Sequence, residues 1–101
     1  MNDFFDFKEA FETVKEGYKV TRKHWEGTGM YIWYLPPAEI KAEWCKDNHL
    51  KKLCEDNGGT ILCEGAIRLK TQIGTILTGY KPSEDDLVAV DWKLVDYIKI
   101  F

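Results

Sequence analysis

At 101 residues, with 45% hydrophobic and 31% charged side chains, the chain has the size and composition of one soluble globular domain with a modest core, which argues against disorder. Its 14 basic and 17 acidic residues leave a net charge of −3, so no overall positive field draws it to nucleic acid polymers or membranes, and any anionic ligand must be met by local donors. No apolar run approaches the ~20 residues of a bilayer span, and Met1-Asn-Asp-Phe-Phe-Asp6 lacks the basic and apolar parts of a signal peptide, which predicts a cytosolic protein.

The first predicted element is a helix from about Phe7 to Glu16. Phe7, Ala10, Phe11 and Val14 fall at i, i+3, i+4 and i+7, Asp6 and Glu9 have the spacing of a capping box, and Gly17 suits the residue after the helix. Tyr18 to Thr21 reads as a short strand, Glu26 to Gly29 as a tight turn, and Met30 to Leu35 as a β-rich strand ended by Pro36-Pro37. Pro37 suits the first turn of a second helix; Ile40 with Trp44, then Leu50, Leu53 and Cys54, predict two short helical pieces to about Glu55. After Asn57-Gly58-Gly59 comes a predicted β-meander of Thr60–Cys63, Ala66–Thr71 and Thr75–Tyr80, with Gln72 to Gly74 as a hairpin turn. Ser83 and Asp86 have capping-box spacing for a helical turn or two through Ala89, and Trp92 to Phe101 alternates as a final strand. The order predicts a small single α+β domain over residues 1–101 with a mostly antiparallel sheet.

Cys45, Cys54 and Cys63 lie nine residues apart, without the close pairing of zinc or redox sites, and read as small, mostly buried thiols. His24 and His49 add no ligand spacing, no phosphate-cleaving metal motif or P-loop is present, and Glu84-Asp85-Asp86 reads as a solvated helix start more readily than as a metal site. The chain is therefore expected to be no enzyme and to need no metal or cofactor.

Two segments near the ends of the chain combine Trp with polar, turn-rich sequence: Val20 to Met30, containing Arg22, Trp25 and Gly27-Thr28-Gly29, and Lys81 to Trp92, containing Ser83, Asp86 and Asp91. Trp and Tyr present an apolar face and a donor together, as a surface that grips a flat, polar ligand requires. Trp25 and Tyr80 are candidates for stacking, with Trp92 a third wall or a core support, although all three also suit a core. Arg22 offers a bidentate contact to phosphate, and Gly27, Thr28, Gly29 and Met30 a turn whose backbone N–H groups can approach oxyanions; a plain hairpin with a solvated Arg fits the same residues. Ser83, Asp85 and Asp86 can accept from hydroxyls of a ligand, although Ser83 and Asp86 also suffice as helix caps.

The order helix, Gly17, Lys19-Val20, Arg22-Lys23-x-Trp25-x-Gly-x-Gly-Met30, hairpin, Pro82-Ser83-x-x-Asp86-Leu87-x-Ala89-x-Asp91-Trp92 resembles a small phage and prophage domain family that includes the second type of Thoeris anti-defence protein. The resemblance spans about residues 6–35 and 66–95, leaving 36–65 as a longer, family-variable insertion. It implies a sponge that binds and holds, without cleaving, the cyclic ADP-ribose derivative made by bacterial TIR-domain enzymes (glycocyclic ADP-ribose), and for some members cyclic dinucleotides in a second site. It also implies a homo-oligomer, a tetramer in related proteins, with ligands at subunit boundaries, acting in the cytoplasm of the infected bacterial host. Tyr80 departs from the pattern, since the family usually has Trp after the second hairpin. The competing reading is a phage interaction module that binds a host protein through its aromatic patches.

Overall fold

The helical spacing of Phe7, Ala10 and Val14 produces α1 (Phe7–Lys15), in which Ala10 and Val14 are fully buried while Phe11 stays partly exposed. In this computed structural model, which describes residues 3–101, Asp6 caps the helix by accepting from the Glu9 N–H at 2.9 Å. Met1 and Asn2, part of the stretch read above as lacking a leader, lie outside the described residues. Gly17 follows with φ +111° and passes so close to the C-terminal residue that a Cβ there would sit 2.8 Å from the Phe101 carbonyl oxygen, which explains a glycine at this position.

Among the described residues the strands are β1 (Val20–Arg22), β2 (Tyr31–Leu35), β3 (Ala38–Lys41), β4 (Thr60–Cys63), β5 (Ala66–Lys70), β6 (Ile76–Thr78) and β7 (Trp92–Leu94). Five of them form an antiparallel sheet in the order β6-β5-β2-β1-β7. Residues in direct register share a face, so Val20, Ile32 and Leu69 point together toward α1, and Trp92, opposite Arg22, joins them. With Ala10, Val14 and Trp25 these residues are the core, where each fully buried aliphatic side chain contributes roughly 1.5–3 kcal/mol. The other face carries Thr21, Tyr31, Trp33 and Lys93. Short α3 (Glu84–Val88) starts in a complete capping box between Ser83 and Asp86.

The chain divides into two compact units, residues 1–35 with 66–101, and Pro36–Gly65. In the second, β3 pairs with β4 in the register Ile40 to Ile61, a 3-10 turn runs from Ala42 to Trp44, and α2 (Asn48–Asp56) is capped by Asp47. Cys54 on α2 is fully buried, its Sγ 3.8 Å from that of Cys45 and 3.6 Å from the Ile40 carbonyl oxygen, and burial pushes its thiol pKa up.

Three expectations are corrected. Pro37 opens an extended segment and not a helix, because Ala38 to Lys41 finds backbone partners in Thr60 to Cys63, whose β-branched and apolar residues pair across from it. There is consequently no three-stranded meander: β4 pairs with β3, and only β5 and β6 form the hairpin, closed by the hydrogen-bonded Thr71 and Thr75. The last strand stops at Leu94, since the Asp96 carboxylate accepts from the Ile98 N–H at 2.9 Å and bends the chain. The tail then docks through the Ile100 N–H on the Gly17 carbonyl at 2.7 Å. No helix among the described residues is long and apolar enough to cross a membrane.

Candidate functional site

The pairing of β1 with β7 sets Arg22 directly opposite Trp92, seventy positions on in sequence, and thereby joins the two Trp-bearing segments. Arg22 Nε donates to Asp91 Oδ1 at 2.9 Å and Nη1 to Asp86 Oδ1 at 2.7 Å, while its guanidinium carbon lies 5.9 Å from the Trp92 ring centre. Asp86 is the hub of a wider network. Its carboxylate also accepts from the Tyr80 hydroxyl and from the Ser83 N–H at 3.1 Å, its own N–H donates to Ser83 Oγ at 3.2 Å, and its carbonyl accepts from Trp92 Nε1 at 3.0 Å. Asp91 in turn accepts from the His24 N–H at 3.1 Å, which holds the residue just before Trp25. Trp25 stands edge-on to Trp92, with ring centres 5.2 Å apart, and to Tyr80 at 6.4 Å.

The charges in this cluster are mutually locked. Burial alone would raise the carboxyl of Asp86, but the hydrogen bonds from Tyr80, Ser83 and Arg22 outweigh it and hold the group below the usual carboxylate range. Asp91 is likewise lowered: burial acts against its charge, and Arg22 with the His24 N–H more than offsets it. Burial opposes the charge of Arg22 too, yet its two carboxylate partners raise its pKa. Tyr80 is pushed far upward, first by burial and then by donating to Asp86, so it stays a phenol.

Beside this cluster runs the turn from Trp25 to Met30. The Thr28 hydroxyl donates to the Trp25 carbonyl at 2.6 Å and accepts from the Met30 N–H at 3.1 Å, and the Thr21 hydroxyl donates to the Met30 carbonyl at 2.7 Å, so the turn is tied at both ends. Gly27 and Gly29 have φ of +83° and +75°; a Cβ on Gly27 would meet nothing within 4 Å, so that glycine answers a conformational need and not a lack of room. Among the described residues, their N–H groups have no acceptor.

The turn, β1 and β7 enclose a groove of about 480 Å³ lined by Thr21, Arg22, Trp25, Glu26, Gly27, Gly29, Met30, Tyr31, Lys93, Leu94 and Val95. Of the residues singled out from sequence, Arg22, Trp25, Gly27, Gly29 and Met30 line it. Thr28 braces the turn, and Tyr80, Ser83, Asp86 and Trp92 form the supporting network behind Arg22 and Trp25. Two roles shift accordingly. Arg22, expected to present a fork to phosphate, directs Nε and Nη1 at carboxylates, and Trp25, expected as an open stacking surface, is only 9% exposed.

Sequence reasoning passed over Tyr31, Thr21 and Lys93. Their signal lay in strand alternation: Thr21 pairs with Lys93, and Tyr31 shares their face of the sheet, with the Lys19 and Lys70 ammonium groups 6.0 and 5.9 Å from its ring centre. Lys70 also donates to the Gly29 carbonyl at 3.2 Å. The groove thus offers glycine N–H donors, an aromatic ring flanked by cations, and an apolar floor, a set suited to holding a ligand that combines ring systems with anionic oxygens.

Residues 5–95 match the family model described as the Thoeris anti-defense 2-like domain, which covers both Trp-bearing segments and the insertion between them. No curated protein matches the chain.

Proposed function

We propose that this chain, which belongs to the Thoeris anti-defense 2-like family, acts as a sponge: it binds and sequesters, without cleaving, the cyclic ADP-ribose-type signal made by TIR-domain enzymes. Membership of the family supports a phage role against Thoeris defence. Glycocyclic ADP-ribose is the ligand we favour, with cyclic dinucleotides as further candidates, and the site of action is the cytoplasm of the infected host. The observation that carries the reading is the groove beside Gly27 and Gly29, where two N–H groups without acceptors among the described residues stand next to the half-buried Tyr31 ring. Backbone N–H groups in such a turn form a concavity for oxyanions, and an aromatic face contributes roughly 1–3 kcal/mol per stacked base.

In this reading the half-buried Tyr31 is the aromatic wall and Trp25 its buried support, while Met30 supplies apolar surface. Arg22, Tyr80, Ser83, Asp86 and Trp92 act on the ligand by fixing where Trp25 and the turn stand, and Thr28 holds the turn's shape. Homo-oligomeric assembly, tetrameric by the same resemblance, belongs to the proposal, with a neighbouring subunit completing the groove; sedimentation with and without ligand measures it.

The test mixes the purified protein with a panel of cyclic ADP-ribose isomers and cyclic dinucleotides, removes free ligand, then heats the complex and identifies the released molecule by mass. Intact ligand recovered in proportion to protein supports a sponge. A chemically altered ligand means an enzyme, and no capture of any member of the panel rejects the nucleotide reading.

A further inference from the structure

Among the residues lining the groove two carry a positive charge, Arg22 and Lys93. Arg22 already faces two carboxylates, Asp86 at 2.7 Å and Asp91 at 2.9 Å, so an incoming anion meets a cluster whose positive charge is more than balanced. Lys93 faces one, Glu26, with Nζ 3.0 Å from Oε1. The two ends of that pair differ. Lys93 stands on β7 with its backbone in register with Thr21, whereas Glu26 belongs to the turn after Trp25 and its side chain is 58% exposed. An ion pair this open to water contributes little and is readily exchanged for another anion.

We propose that Lys93 is the residue that reads the ligand's phosphate charge, and that Glu26 is a built-in competitor that occupies it until the ligand arrives. The proposal rests on the nucleotide reading above. A phosphate that reaches Lys93 gains a charge-assisted hydrogen bond from a fixed strand position. The same step releases the Glu26 carboxylate to solvent, which removes a like charge from the groove wall that faces the phosphate. The pair therefore selects for anions: a neutral nucleoside cannot displace Glu26, and a weakly charged one gains less than a diphosphate does. Arg22 is then a positioning residue, holding Asp86 and Asp91 and through them the Trp25 segment.

Charge-neutralising and charge-conserving variants separate this role from a structural one, because loss of a purely structural ion pair weakens binding equally from either side. Glycocyclic ADP-ribose is titrated calorimetrically into the parent, Lys93→Gln, Lys93→Arg and Glu26→Gln at low and moderate salt. Lys93→Gln is expected to bind at least about tenfold more weakly and to lose most of the salt dependence, while Lys93→Arg retains binding. Glu26→Gln is expected to bind about two- to fivefold more tightly, the opposite direction. Parallel weakening of Lys93→Gln and Glu26→Gln, or unchanged affinity in both with a parent that binds, overturns this proposal and leaves the sponge reading standing. A parent that binds no nucleotide overturns both. Melting curves of each variant confirm that folded protein is compared.

Discussion

Replacing Asp86 by Asn tests whether the charged network behind the groove is a structural keystone. The carboxylate and its Arg22 partner each have side chains 11% exposed, and Asp86 also takes the Tyr80 hydroxyl and the Ser83 N–H. Removing one partner of a buried ion pair costs about 3–5 kcal/mol; because Asp91 still neutralises Arg22, the lower end, about 3 kcal/mol, is expected. For a domain of this size that lowers the melting temperature by roughly 12–24 °C. The pH dependence carries the sign. The folded-state pKa values of Asp86 and Asp91 are depressed, so their contribution is fully present above the ordinary carboxylate pKa of about 4 and is lost as pH falls through the lower folded values. Circular dichroism melts from pH 7 down to pH 2 should show a large gap between parent and Asp86→Asn at neutral pH that narrows in acid. A variant melting within about 2 °C of the parent at pH 7, or a gap that widens in acid, would refute the reasoning.

Trp25→Ala should cost about 3–5 kcal/mol of stability, since it empties a site packed against Trp92 and Tyr80, and the loss of ligand capture it causes will be inseparable from unfolding; Trp25→Phe, assayed by chemical denaturation and calorimetry, should keep the fold and most of the affinity. Gly17→Ala should lower the melting temperature by roughly 5–15 °C and speed amide exchange at Ile100, because a Cβ at positive φ meets the Phe101 carbonyl; unchanged exchange would mean that the tail docks elsewhere. Cys54→Ser puts a hydroxyl where the buried thiol stands, at a cost of about 1–3 kcal/mol, and limited proteolysis should then cut first between residues 36 and 65.

The helix at Phe7–Lys15, the break at Gly17, the Gly27 to Gly29 turn and the Ser83–Asp86 cap were all legible in the chain, because each is decided by residues within one or two turns of one another. The family resemblance rests on the same local motifs, and the match over residues 5–95 agrees with it. Beyond strands joined by a tight turn, such as β5 and β6, strand partnership was not legible. Ala38 to Lys41 is helical in local propensity, and only Thr60 to Cys63, some twenty residues on, makes it a strand. The site shows the same division. That Arg22, Trp25 and Trp92 sit in two polar, turn-rich motifs could be read from the chain; that Arg22 turns inward to Asp86 and Asp91, that Trp25 is buried, and that Lys93 and Tyr31 line the groove follow only from the register of β1 against β7 and β2. Side chains alternate across a sheet with period two, so a residue's face depends on which neighbour its strand chooses, and that choice is made by distant parts of the chain.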